Sequence, residues 1–183
     1  MGSRFLISLA TAFGLTLAVL GGIGWAVAQL LVAPPREQFF TSYFQFDLAP
    51  GWSCELEGTE YVCTPPGSAP HPAIVIMAMK ERGDQDRLEA YEQHLRQPQP
   101  LNRADGSSAM SEVRFVRRTT LGGKEWVEAL HVGSEVPNYH TYYLATTTSY
   151  LGILVTMSVH KDSADAFVRQ LTEMMSSLIA YQR

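Results

Sequence analysis

From Phe5 to Ala33 the chain is apolar except for small Ser, Thr and Gly positions and Gln29, and no charge falls between Arg4 and Arg36. A helix of about 20 apolar residues crosses the hydrocarbon core of a bilayer, so this run is long enough to span one. Pro34 and Pro35 stop it, because proline lacks the amide proton and clashes with the preceding turn. Beyond them the pattern changes to short alternations. Tyr43-Phe44-Gln45-Phe46-Asp47-Leu48 has period two, which predicts a strand with Phe44, Phe46 and Leu48 on one face. Pro50-Gly51 suits a type II turn that delivers Trp52, read as a core residue, into the next strand. Trp52 to Thr64 reads as a hairpin with Glu57-Gly58-Thr59-Glu60 at its tip, Gly58 taking the first central position of a type II′ turn.

Pro65 to Pro70 is a loop by composition. In Ala73 to Met79 both faces are apolar, Ile74, Ile76 and Ala78 on one and Val75, Met77 and Met79 on the other, which predicts a central strand covered on both sides. A helix is expected next, with Asp84 as N-cap, Leu88, Tyr91 and Leu95 on one stripe, and Pro98 ending it. Gln97 to Ser108 reads as the longest irregular segment of the domain. Ser111 to Thr120 and Lys124 to Val132 flank Gly122-Gly123, a strong hairpin signal. That turn sets Phe115 against Leu130, Thr119 against Trp126, and Arg117 against Glu128 as a cross-strand ion pair. After a loop over Gly133 to Asn138, Tyr139 to Thr148 and Leu151 to His160 form a further strand pair. Asp162 or Ser163 then caps a closing helix. Its stripe of Ala164, Phe167, Val168, Leu171, Met174, Met175 and Leu178 must pack on the sheet, with the Met pair as core filler.

The first run admits two readings. A secretory signal has a basic start, an apolar stretch of roughly 7 to 15 residues and a small-x-small cleavage site. Arg4 and Ala26-Val27-Ala28 before Gln29 match the first and last of these, but the apolar stretch is too long and continues through Leu30, Leu31 and Val32. An uncleaved signal anchor is therefore the expectation, with a cleaved signal peptide and a secreted product as the alternative. Arg4 on the near flank places the N-terminus in the cytoplasm and the remainder in the periplasm or outside the cell. Gly22 with Ala26 and Gly24 with Ala28 have the small-xxx-small spacing that allows two membrane helices to approach. No lipobox cysteine ends the run.

Both cysteines lie in the domain that follows. The hairpin register makes Cys54 and Cys63 a non-hydrogen-bonded cross-strand pair, whose Cα atoms come within about 4.5 Å, inside the disulfide range. Neither CxxC spacing nor a second ligand pair is present, so a structural disulfide in an oxidising compartment is expected. From Pro34 onward about 150 residues remain, enough for one domain with a real core. The formal net charge is −4, and Lys and Arg do not cluster, which argues against a nucleic-acid partner.

Candidate chemistry is sparse. Of the five histidines, His71, His94, His131, His140 and His160, only His131 and His140 could meet across a hairpin. The Gly122-Gly123 register puts Arg114 opposite His131, and a guanidinium there opposes a bound cation, so no metal site is assigned. No paired carboxylates, nucleophile elbow, phosphate-cradling Gly loop or dinucleotide fingerprint occurs. No catalytic residue and no cofactor are assigned.

The order of elements, with Phe44-Gln45-Phe46-Asp47-Leu48 leading into Ala49-Pro50-Gly51-Trp52, and Leu144 to Leu178 reading strand, strand, helix, resembles the PsbP-like superfamily from about Phe40 to the C-terminus. That superfamily includes photosystem extrinsic subunits, a Ran-binding protein and DcrB-like bacterial envelope proteins. The resemblance implies an α+β fold, an α-β-α sandwich on a mainly antiparallel sheet, whose members mostly bind and assist rather than catalyse. The matching positions Phe46, Pro50, Gly51 and Trp52 are structural, so no ligand residue is carried over. The chain departs from its bacterial relatives in having an anchor and a cystine hairpin where they often carry a lipoprotein signal. The expected organisation is residues 1–33 as signal anchor or signal peptide, 34–39 as tether and 40–183 as a single PsbP-like domain. The expected function is a membrane-anchored, extracytoplasmic, non-enzymatic binding or accessory domain for a protein or envelope component. The alternative is an extracytoplasmic hydrolase or metal-dependent enzyme without a recognisable motif.

Overall fold

The computed structural model describes residues 36–102 and 106–181. The anchor or signal peptide expected over 1–33 lies outside the described residues, among which no helix is long and apolar enough to cross a membrane. The strands are β1 (Gln38–Phe40), β2 (Phe44–Asp47), β3 (Ser53–Glu57), β4 (Glu60–Thr64), β5 (Ala73–Glu81), β6 (Pro100–Asn102), β7 (Ser108–Met110), β8 (Glu112–Leu121), β9 (Lys124–Val132), β10 (Tyr139–Thr147), β11 (Leu151–His160) and β12 (Ile179–Ala180). The described residues also include two helices, α1 (Leu88–Leu95) and α2 (Ala164–Ser176), and a short 3-10 turn at Lys161–Ser163.

Seven strands form one antiparallel sheet in the order β3-β4-β5-β11-β10-β9-β8. A three-stranded sheet, β1-β2-β12, stands apart from it, and β6 pairs with β7. Period-two alternation sorts the large sheet's side chains between two apolar layers. On one face Trp126, Tyr142, Leu144, Ile153, Val155 and Met157 meet Leu171, Met174 and Met175 of α2, together with Phe44 and Phe46 of the small sheet. Burying each such side chain fully contributes about 1.5–3 kcal/mol, so this layer dominates the fold. Trp52 belongs to it, with its indole N–H donating to Gln170 Oε1 at 2.8 Å. On the opposite face Leu95 of α1 packs on Val127, Ala129 and Ala145, with Leu88, Tyr91, Tyr143 and Leu154 around them. The architecture is α+β, with helices on both faces of an antiparallel sheet.

The structure corrects several expectations. On β5, Ala73, Val75 and Met77 are wholly buried, whereas Ile74, Ile76 and Ala78 are only half-buried. An eight-residue helix is about 12 Å long and about 10 Å wide, so it spans two or three strands spaced about 4.8 Å apart. α1 packs over β8, β9 and β10 and leaves the β5 side of that face without a helix. Asp84 does not cap α1: the N-cap is Arg87, without a side-chain bond. Asp86 instead turns back to accept from the Gly83 amide at 2.7 Å and from Tyr91 Oη at 3.2 Å, and pairs with Lys80 at 2.9 Å. Of the two residues expected to cap α2, Ser163 is the N-cap as read, though without a side-chain bond. The segment read as irregular, Gln97 to Ser108, carries β6 and the start of β7. Part of the expected tether is strand, because β1 begins at Gln38 and pairs with β2.

Candidate functional site

The hairpin of β3 and β4 has the expected register: Cys54 lies opposite Cys63, their Cα atoms 4.0 Å apart, and a disulfide joins them. Cys63 is wholly buried against the main core, so the bond closes the outermost hairpin of the large sheet onto that core.

The two histidines singled out as metal candidates do not meet. His140 lies opposite Val132 and Thr141 opposite His131, so the two rings project from opposite faces of the sheet. Arg114 is not beside His131 either. A bulge between Val113 and Phe115 shifts the register by one, placing Val113 opposite His131. Arg114 is the extra residue, and its exposed guanidinium pairs with Glu112 at 3.3 Å. His131 itself is completely buried. Its Nε2 lies 2.8 Å from the Leu95 carbonyl and its Nδ1 2.9 Å from Ser111 Oγ. A carbonyl can only accept, so Nε2 carries the proton and Nδ1 accepts from the serine hydroxyl. Ser111 Oγ in turn accepts from the Gln99 amide at 2.8 Å. Burial holds the His131 pKa below the usual histidine range, opposed by its bond to Leu95 and reinforced by His94. A hydrolase would use such a Ser-His contact with the serine open to substrate and the second ring nitrogen facing a carboxylate. Here Ser111 is buried and the second nitrogen binds a backbone carbonyl at the end of α1, one of the orphan acceptors that every helix leaves there. Among the described residues, no three His, Cys, Asp or Glu side chains converge as metal ligands.

A buried ionisable cluster around Glu128 lines a groove of about 350 Å³ between α2 and the strands β8 and β9. Glu128 is 6% exposed, and three hydrogen bonds from two side chains hold its carboxylate. Arg117 Nε donates to Oε2 at 2.6 Å, the guanidinium donates again to Oε1 at 3.0 Å, and Tyr142 Oη donates to Oε1 at 2.5 Å. The expected Arg117–Glu128 pair is thus present and bidentate. The carboxylate raises the Arg117 pKa, and burial, then Glu128, pushes the Tyr142 hydroxyl well above the tyrosine range. The guanidinium lies 4.8 Å over the Phe115 ring while its side chain stays 64% exposed. Arg169, Thr172 and Glu173 of α2 and Thr119 of β8 complete the walls. Sequence pattern alone missed Tyr142, whose placement depends on the register of β9 with β10.

A second set of ion pairs fixes α1 rather than opening a site. Arg118 of β8 reaches Glu89 at 2.7 Å and Glu92 at 3.1 Å, and Arg96 reaches Glu92 at 2.6 Å. Arg118 lowers the Glu89 pKa, and Arg96 with Arg118 lowers that of Glu92.

This combination is an α+β fold, a largely antiparallel sheet with one helix on each face and a small terminal sheet closing the core. Three solved structures share it. Cyanobacterial PsbP (CyanoP) from Synechocystis sp. PCC 6803 superposes with a TM-score of 0.55 at 15% identity, covering 82% of this chain and 95% of its own. The Ran-binding protein Mog1p of Saccharomyces cerevisiae gives 0.52 at 13% identity over 80% of this chain and 96% of its own. LpqN, involved in cell envelope biogenesis of Mycobacterium tuberculosis, gives 0.50 at 13% identity over 82% and 87%. No family model and no curated protein matches the chain by sequence. At these identities the likeness is one of fold.

Proposed function

We propose that this protein is a membrane-anchored, extracytoplasmic, non-enzymatic binding or accessory domain that recognises a protein or envelope component through the groove between α2 and β8–β9. The observation that carries the reading is Arg117, a largely exposed guanidinium held still by a buried carboxylate beneath it and an aromatic ring beside it. Holding a long side chain in one geometry costs conformational entropy, and a well-packed apolar substitute for a buried ion pair is often as stable or more so. What the arrangement supplies is a preorganised arginine in a concave surface, the kind of residue on which binding energy concentrates. Tethering is supported by the length of the Phe5–Ala33 apolar run, and an oxidising compartment by the bonded cysteines. A Ran-binding protein and an envelope-biogenesis protein among the structural neighbours support an accessory role.

Site-specific photocrosslinking of the full chain in its own membranes tests the reading. A photoreactive residue at Thr119 in the groove should give a discrete product that one at Gln93, exposed on α1, does not, and Arg117→Ala should abolish it. Equal products from both positions, or none from Thr119, would exclude the groove. Intact mass settles the tether: a mature form beginning at Gln29 would make the protein secreted rather than anchored.

A further inference from the structure

The small sheet has an inner and an outer face. Phe39, Phe44 and Phe46 point inward, with ring centroids 5.6 to 6.1 Å apart, and join the main core. Alternation sends the neighbouring residues outward. Phe40 lies opposite Gln45, and Gln45 lies opposite Ile179, so the three form one row across β1, β2 and β12. Tyr181 extends the row: its amide donates to the Tyr43 carbonyl at 2.8 Å and its hydroxyl bonds Gln45 Oε1. Phe40 is 75% exposed, Ile179 49%, Tyr43 40% and Tyr181 36%. The remaining outward positions of β1 and β2, Gln38 and Asp47, bond each other at 2.9 Å. The strands of this sheet carry no Lys or Arg; the cations at its margins, Arg36 beside Asp47 and Lys80 beside Tyr43, are paired with Glu173 and Asp86.

We infer that the outer face of this sheet rests in the headgroup layer of the membrane to which the chain is anchored, with Phe40, Ile179 and Tyr181 as its interfacial contacts. The inference rests on the anchor reading above. Six residues, 34–39, separate Ala33, the end of the apolar run, from Phe40, and the seven steps between them reach about 25 Å at most. The polar layer on each side of a bilayer is about 5–8 Å deep, so the first strand after the tether can reach it. The patch has the composition that favours that depth: tyrosines with an apolar body and a hydroxyl tip, beside fully apolar Phe and Ile. With no Lys or Arg on its strands and the marginal Arg36 and Lys80 already paired with carboxylates, attachment owes little to anionic headgroups and is insensitive to salt.

The test uses the full chain reconstituted in vesicles of phosphatidylethanolamine and phosphatidylglycerol. The native cysteines are bonded to each other, so Gln38→Cys or Gln93→Cys provides a single thiol for a nitroxide. Gln38 shares the outer face, and Gln93 lies on α1, packed on the opposite face of the large sheet. The ratio of oxygen to nickel-chelate collision rates should be several-fold higher at position 38 than at 93 and unchanged by high salt. It should fall to the value at 93 when Phe40→Ser and Ile179→Ser are added, with the circular dichroism spectrum unchanged. A position-38 label open to the nickel chelate, in a chain that resists carbonate extraction, would overturn the docking and leave the anchor standing. Shielding from both reagents with spin-spin broadening would overturn it in favour of a second copy. Extraction by carbonate would remove the anchor and the docking together.

Discussion

A Cβ on Gly122 would lie 2.0 Å from the carbonyl oxygen of Ser176, the last residue of α2. The β8–β9 turn therefore runs directly under the end of the helix, a position confirmed by the Lys124 ammonium, which donates to the Leu178 carbonyl at 2.7 Å. Gly122 and Gly123 have φ of +56° and +75°, as a type I′ turn requires at both central positions. Gly122→Ala must both strain the backbone and push the helix end away, for a loss of about 2–4 kcal/mol. Gly123 has nothing within 4 Å of its missing Cβ, so Gly123→Ala should lose only the backbone share, about 1–2 kcal/mol. Urea unfolding of the two variants measures the difference, and equal losses would show that the close approach carries no energy.

Glu128 is shared between Arg117 and Tyr142, which both bond Oε1. Removing either should leave a buried carboxylate short of a donor. Tyr142→Phe is expected to cost about 1–3 kcal/mol. Arg117→Ala should fall in a similar range rather than at the 3–5 kcal/mol of a fully buried pair, because the guanidinium stays exposed and water can replace it. The double variant should cost more than the sum of the two single changes, since each leaves the other as the remaining charge-assisted donor. Strict additivity in the double-mutant cycle would mean that the three groups do not act as one unit.

The part of this site that is legible in the sequence stops where residue counting stops. From Gly122-Gly123 back to Phe115 the register is set by a two-residue turn, so Arg117 opposite Glu128 follows from arithmetic and is found. One step further the bulge at Arg114 adds a residue that no composition signal marks, and the expected Arg114–His131 contact fails with it. Tyr142 belongs to a strand joined through residues 133–138, a connection too long to define register. In the small sheet only Phe44–Asp47 is long enough to show its period of two, and the flanking strands Gln38–Phe40 and Ile179–Ala180, of three and two residues, are too short to establish one. Helix extent, too, is poorly encoded. The apolar pattern of β5 asks for cover on both faces, but its length cannot show that α1 has only eight residues.

Reducing the Cys54–Cys63 bond should lower stability without unfolding the domain. The bond closes about ten residues, for a chain-entropy contribution of roughly 2–3 kcal/mol. In a domain of this size 1 kcal/mol moves the midpoint by about 2–4 °C, so Cys54→Ala with Cys63→Ala should lower Tm by about 4–12 °C. The main core carries the fold, and near-ultraviolet circular dichroism at 25 °C should stay native. Non-reducing digestion should recover one peptide pair joining the two positions. Two free thiols in protein taken from its native envelope would contradict the oxidising compartment.

The last prediction concerns acid. His131 is neutral and wholly buried, its ring edge-on to Tyr143 with centroids 5.0 Å apart, and both nitrogens are engaged by Leu95 and Ser111. Burial lowers its pKa in the fold below the ordinary value of about 6.5. Between those two values the unfolded chain binds a proton that the folded chain does not, so stability rises with pH there. The contribution is fully present above about pH 6.5 and drains away as the pH falls towards the folded value, at no more than about 1.4 kcal/mol per pH unit for one proton. The lowered carboxylates Asp86, Glu89 and Glu92 follow the same sign but in a lower window, beginning near the ordinary carboxylate range of about 4. Unfolding free energy measured from pH 7.5 down to 3.5 should therefore fall in two steps. His131→Gln should be less stable at neutral pH, because it loses one of the two bonds, yet should lack the upper step. His94→Gln should retain that step over a narrower range, since the neighbouring imidazole that helps depress the His131 pKa is gone. An upper step that survives His131→Gln unchanged would assign it to another group and leave the buried ring without a titration in the fold.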